Sequence, residues 1–367
     1  MSYQSGRMGT AEGIALVFTM TFTTIFVTLP AELIETSGEL GWISEIASGL
    51  STMAMLFLFI YVFERFPGDL FYVSTRLLGK LGACLISIYY IVMFFSVATL
   101  LIRDFSENTL FAALPELDFH LSVGWYALSV AFLLYFGIEA IARAAYVILP
   151  FSAGGIILAF ALLVPHYKPY YLFPWQGTGM TNALIKSGVL VASNAAAPLL
   201  AVIAKSFQNI RVLRAAAIFG LGGSMLIKST SILILIIVFG PSAAMERTLP
   251  FFEMTRLISL NRYIQRIDSI FIILWVIAGI FGITISLYMG LYLITRLVNL
   301  PTMKPLIPIV TLLLAQIAMI PPDASSVRAL EGILVKGYFL IGIYVIPLLL
   351  FAATLLNKKR GTKCASE

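Results

Sequence analysis

The chain has 367 residues, of which 60% are hydrophobic and only 11% charged, with a formal net charge of +6 and a mean hydropathy of +0.97. Soluble domains carry about a quarter charged residues, so this composition argues against a soluble enzyme and describes an integral membrane protein. The pI near 9.2 needs no nucleic-acid partner to explain it.

The apolar runs are about 20 residues long, as a membrane-crossing helix requires, rather than the roughly ten alternating residues of a barrel strand. The sequence therefore predicts an all-α membrane protein with about ten spans, at 11–34, 43–63, 82–112, 122–140, 144–164, 184–204, 216–240, 267–297, 304–320 and 337–356. The third and eighth are about 30 residues long, roughly 45 Å as helix, so they must tilt or project beyond the bilayer. Lys and Arg are in excess in the loops that are cytoplasmic when the N-terminus is inside, which places both termini in the cytoplasm. The first span is too long for a cleavable signal peptide and lacks a small-residue cleavage pattern, so it is expected to stay. The basic end "NKKRGTKCASE" reads as a solvated cytoplasmic tail, 357–367.

The first span contains "TFTTIFVTLP", 21–30. Pro30 offers no N–H to the carbonyl of Phe26 and its ring crowds that carbonyl, so the helix must kink or open around residues 22–26. Such an opening is tolerated only where hydroxyls, protein or a wet cavity take up the freed groups, and Thr21, Thr23, Thr24 and Thr28 suit that task. The sixth span repeats the pattern in "VLVASNAAAPLLAVIAK", where Pro198 frees the carbonyl of Asn194. Proline-interrupted spans at matching places in two five-span halves, 11–164 and 184–356, are the mark of a five-plus-five inverted-repeat transporter with its site at the breaks.

Half-helices starting near Ile25 and Ala195 would aim unpaired N–H groups at that site. The candidate ligand-binding residues are therefore Thr23, Thr24 and Ile25 at the first break and Ser193, Asn194, Ala195 and Ala196 at the second. Tyr89, Tyr90, Met93 and Val97 of the third span, and Phe281, Gly282 and Ser286 of the eighth, would form the walls. Lys228 lies well inside the seventh span, where a charge is expensive and marks a functional position. It could serve an ion or coupling site or form a static salt bridge, and the sequence names no carboxylate for it. Arg103 and Glu107 share a helix face at i and i+4, as do Glu139 and Arg143 beside the turn between spans four and five. "RYIQRID", 262–268, could lie on the outer membrane surface. Cys84, Cys364, His120 and His166 show no metal-like or redox-like spacing. No nucleophile with its base and no phosphate loop is visible, so no enzymatic role, metal or cofactor is expected.

Five segments carry a family resemblance: "ERFPGDLF" (64–71), "LIRDFSENTLFAALPE" (101–116), "GIEAIARAAYVILPF" (137–151), "QRIDSIFIILWVIAGI" (265–280) and "PPDASSV" (321–327). In order and spacing the chain resembles the permease-like B subunit of spore germinant receptors, within the amino acid, polyamine and organocation transporter superfamily. That resemblance implies a ten-span inverted-repeat fold with broken first and sixth helices in the spore inner membrane. It also implies A and C receptor subunits as partners and a small nutrient germinant, an amino acid or similar, as ligand. The chain departs from the superfamily in placing Thr23, Thr24 and Ile25 where glycines are usual, which leaves a neutral or weakly polar nutrient equally open. The alternatives are a secondary transporter of an amino acid or organic cation, and an ion or water conduit.

Overall fold

A computed structural model describes residues 8–26, 29–190, 196–247, 249–258 and 268–363. Among them the chain is all-helical, and six helical stretches are long and apolar enough to cross a membrane: Leu29–Arg65, Leu70–Ala112, Gly137–Leu162, Ile210–Phe239, Phe271–Val298 and Ser325–Asn357. Shorter apolar helices are Thr10–Phe26, Phe119–Leu134 and Leu306–Ala318. Leu85, Ile88, Val92, Trp125, Leu128, Phe132, Ile309 and Leu312 are exposed. On a soluble protein they would be a liability; here they form a surface suited to lipid.

The first span is two helices, α1 (Thr10–Phe22) and α2 (Leu29–Ser37), with a 3-10 turn at Thr23–Phe26 between them. This is where Pro30 was expected to open it. Then follow α3 (Gly41–Arg65), α4 (Leu70–Ala112), α5 (Phe119–Leu134) and α6 (Gly137–Leu162). α4 carries a short helical piece before the expected third span, starting at Leu70 with the Asp69 side chain capping Tyr72 N. It turns at Gly79, where φ is +80°, a value glycine adopts without steric cost. The turn between spans four and five also moves. It falls at Tyr135 and Phe136, with Gly137 at φ +79°, so Glu139 and Arg143 lie on the opening turns of α6 rather than beside the turn.

The sixth span runs as α7 (Met180–Leu190) and α8 (Ala196–Val202). Pro198 stands in the first turn of α8, where a missing N–H costs nothing. Next come α9 (Ile210–Ala215), a π-helical turn at Ala216–Leu221, α10 (Gly222–Phe239), α11 (Pro241–Met245), α12 (Pro250–Thr255), α13 (Asp268–Val298) and α14 (Leu306–Ala318). The last helix starts well before residue 337. Asp323 accepts from Ser326 N and caps α15 (Ala324–Ile333). Hydrogen bonds from Ser326 and Ser325 hold its carboxyl below the usual carboxylate range. π-helical stretches at Leu334–Tyr338 and Ile341–Val345 lead into α16 (Ile346–Lys363), so part of the expected tail is helical.

The long helices α4 and α13 run antiparallel at the centre, close enough that glycine is required where they touch. A Cβ on Gly290 would lie 2.1 Å from Phe95 Cε1, and one on Gly279 would lie 2.3 Å from Phe105 Cδ1. Phe105 is fully buried with Trp275 and Tyr126 beside it, so its ring has no room to retreat. Gly279→Ala should therefore destabilise the detergent-purified chain by about 1–3 kcal/mol through overpacking, read as a lower midpoint in a thermal unfolding scan.

Candidate functional site

The first break is sealed by threonines. Thr21 Oγ1 donates to Val17 O (2.9 Å), Thr23 Oγ1 to Thr19 O (2.7 Å), and Thr24 Oγ1 to Thr21 O (2.9 Å). Thr23 Oγ1 also reaches Ala278 O on α13 at 3.2 Å. A Cβ on Gly282 would come within 2.8 Å of Thr23 Cγ2, so the absence of a side chain there lets the break press against α13. One turn on, Ser286 Oγ donates to Gly282 O and touches Met20 Sδ at 3.6 Å. Thr23, Gly282 and Ser286 are thus brought together as the sequence suggests. Ile25 is buried beside them and lines a space with Phe26, Phe251, Phe271 and Trp275 that holds no more than about one water molecule.

The other wall residues go elsewhere. Phe281, one position from Gly282 and so roughly 100° around the helix, lines a groove with Trp125, Leu128 and Phe132 rather than the break. Tyr89, Tyr90 and Met93 dock on the last span. Tyr90 Oη donates to Gly342 O at 2.7 Å, Tyr89 Oη donates to Tyr338 O and accepts from Gly342 N at 3.1 Å, and Tyr338 Oη returns a bond to Tyr89 O at 2.8 Å. Gly342 leaves room for this, since a Cβ there would meet Met93 Sδ at 2.8 Å. Val97 packs at the edge of the core. The two π-helical stretches expose backbone groups that the tyrosine hydroxyls satisfy, a third interruption with no proline to announce it. The repeated Gly and Tyr of "VKGYFLIGIY" were the available signal.

At the second break, Ser193, Asn194 and Ala195 lie outside the described residues, as do Thr28 and 262–267 of the basic segment. Ala196 is described and fully buried.

Lys228 has a partner that the sequence did not name. Its Nζ lies 2.6 Å from Glu45 Oε1, and each side chain is 1% exposed. Packing aligns the pair: α3 and α10 run antiparallel, with Gly41 against Ile232, Ser229 Oγ donating to Trp42 O at 2.8 Å, and Gly49 against Met225. Ser44, Glu45, Ser48 and Thr52 make a buried polar stripe on α3. With both charges sealed, neutralising either one strands the other in a medium of low dielectric. The pair behaves as a fixed pin between α3 and α10.

The two ends of the molecule differ. On the side expected to face the cytoplasm, Met8 N donates to Ser206 O (2.7 Å) and Gln208 N to Met8 O (3.2 Å). Arg143 bridges Glu12 and Glu139, Arg214 pairs with Glu64, and Arg296 meets Asp69 at 2.7 Å. At the other end a charged cavity of about 320 Å³ opens between α2, α4, α11 and the last helix, a volume in the small-molecule range. Arg103 pairs with Glu107 on the same helix face, as their spacing suggests, donates to Ala318 O and lies 4.5 Å over the Phe119 ring.

This helical architecture is that of membrane transport proteins. A Na+-coupled sialic acid symporter in a substrate-bound outward-open state matches with TM-score 0.63 and 14% identity, over 93% of this chain and 80% of that one. The manganese transporter of Eremococcus coleocola, in complex with an aromatic bis-isothiourea compound, matches with TM-score 0.60 and 12% identity, over 94% and 74%. A single-residue variant of that transporter gives TM-score 0.60 at 13% identity, over 94% and 76%. No curated protein sequence matches the chain. Residues 7–327 match the profile of the spore permease family, described as spore germination protein. The chain belongs to that family, and is an integral membrane protein with a permease fold.

The pin can be tested by comparing single and paired variants. Lys228→Met should lower the stability of the purified chain by about 3–5 kcal/mol, because it leaves Glu45 buried and uncompensated. Adding Glu45→Leu should restore most of that loss, measured by thermal unfolding in one detergent.

Proposed function

We propose that the chain is the permease-like subunit of a nutrient germinant receptor in the spore inner membrane, with both termini cytoplasmic. It binds a small germinant, an amino acid or a molecule of similar size, near the interrupted helices, and it works with the A and C subunits of the receptor. The observation that carries this reading is the first break. Thr23 there ties two helices together with a single hydroxyl, inside a chain that belongs to a spore germination family. Binding energy spent at such a point favours one arrangement of the broken helix over another, and partner subunits respond to the difference.

The reading keeps Thr23, Thr24, Ile25 and Gly282 as first-break ligand contacts and Ser193, Asn194, Ala195 and Ala196 as second-break contacts. Tyr89 and Met93 take part through the seam between α4 and the last helix, with Val97 on the same helix. It also takes 11–164 and 184–356 as the two inverted repeats of one membrane domain. The Glu45–Lys228 pair serves it as the fixed frame against which the breaks move.

Spores carrying Thr23→Val provide the test. The substitution keeps the shape and removes the hydroxyl that bonds Thr19 O and Ala278 O. With receptor subunits at normal level by immunoblot, the nutrient concentration for half-maximal germination should shift at least about tenfold, the loss of one to two buried hydrogen bonds. An unchanged dose response would remove the first break from the ligand site. Accumulation of a labelled nutrient in vesicles, lost in the same variant, would favour a working transporter instead.

A further inference from the structure

A second cavity, of about 470 Å³, opens at the end of the molecule that holds Met8. The start of α4 supplies Asp69 and Tyr72, the end of α13 supplies Arg296 and Asn299, and the turn after α8 supplies Lys205. The carboxylate in this lining is already satisfied. Asp69 is buried, its Oδ1 accepts from Tyr72 N at 2.9 Å, and its Oδ2 takes Arg296 at 2.7 Å and Tyr292 Oη at 3.3 Å. The groups left over are donors. Lys205 is exposed, with no carboxylate in ion-pair distance among the described residues. Arg296 gives Nη2 to Asp69 and Nε to Tyr292 Oη, which leaves Nη1 without a bond among the described residues. The Asn299 amide is likewise unbonded there, on a residue held at φ +57°. Two cations and an amide around an occupied acid select a ligand with several acceptor oxygens, as a phosphate has.

The depth of the cavity identifies where that phosphate comes from. Between Lys80 and Arg103 the chain carries no charge, and 81–102 as helix is about 33 Å long, close to the thickness of a hydrocarbon core. The piece of α4 before Gly79 therefore lies at the membrane boundary, with Tyr72, Arg76 and Lys80 exposed. From there Leu81, Leu85, Ile88 and Val92, all exposed, recur at helical spacing and form one apolar stripe running into the membrane.

We propose that this cavity holds the phosphate of an anionic phospholipid, with Lys205, Arg296 and Asn299 donating to its oxygens and an acyl chain lying along the stripe from Leu81 to Val92. Basic pockets between spans at a membrane surface suit such headgroups. A headgroup seated here joins the third span, the eighth span and the turn after the sixth. Lys205 adjoins Ser206, whose carbonyl takes Met8 N, so the lipid reinforces the closure of this end. The site lies outside the helix breaks and is independent of which nutrient the chain meets.

The experiment uses the purified full-length chain in a neutral detergent. Its thermal unfolding midpoint is read with added dioleoyl phosphatidylglycerol, dioleoyl phosphatidylcholine or inorganic phosphate, at one ionic strength. Phosphatidylglycerol should raise the midpoint by about 4 °C more than phosphatidylcholine near saturation, and inorganic phosphate should raise it by less than about 1 °C. The extra gain should shrink at high salt. Lys205→Gln and Asn299→Gly should each remove at least half of it. Both variants should fold, because Lys205 is exposed and glycine accepts the positive φ at 299. Lys304→Gln, which deletes an exposed charge at the same end outside the cavity, should leave the gain unchanged.

Equal gains from the two lipids would overturn the proposal. So would a gain that survives both Lys205→Gln and Asn299→Gly, or one that falls as far with Lys304→Gln. A matching gain from inorganic phosphate, lost in Lys205→Gln, would assign the cavity to a free anion and overturn the lipid assignment.

Discussion

A carbonyl released inside a membrane helix must find a donor, because no water is there to supply one. At the first break threonine hydroxyls fold back onto the turn before them, Thr23 Oγ1 adding a second bond to Thr19 O, which already accepts from Thr23 N, and reaching across to Ala278 O as well. In the last span the answer comes from a neighbour, as Tyr89 and Tyr90 supply hydroxyls to Tyr338 and Gly342. Both kinds of repair depend on glycines, Gly282 and Gly342, that let the donor come close. Interruption and close approach are therefore one design.

Charge is handled by the same logic at higher stakes. Glu45 and Lys228 are sealed against each other, while the pairs at the end that holds Met8, such as Arg214 with Glu64, remain half exposed and contribute little each. That end gains its closure from number and from the main-chain bridge at Met8, not from any single contact. At the opposite end the cavity between α2, α4, α11 and the last helix is lined by more carboxylates than cations, so the charges there do not cancel. The molecule thus presents a tied face and an acidic one.

How much of this was legible in the sequence depended on the physical range of each signal. The spans were readable because hydropathy is local, and the first break because Pro30 lies within a turn of the carbonyl it frees. The charge on Lys228 was visible, but its partner sits 183 positions away on another helix, and only the register of α3 against α10 selects Glu45 from the other acids. Gly79 and Gly137 redrew two boundaries through left-handed backbone angles that hydropathy windows do not register. Tyr89 and Met93 were placed on the correct helix, yet their partner is the last span, because π-helical turns leave no proline behind. The early start of that span was masked by its charged first turns, Arg328 and Glu331, which belong to the cavity rather than to a loop.

The two π-helical stretches in the last span have a further geometric consequence. Each accommodates about one residue more than a regular α-helical turn, so restoring either to α-helix would rotate everything on its outer side by roughly 100° about the helix axis. Arg328, Glu331 and Lys336 would then face a different neighbour, and Gly342 would withdraw its backbone from the tyrosines. The facing of the charged first turns of the last span is thus set by the π-helical stretches that follow them.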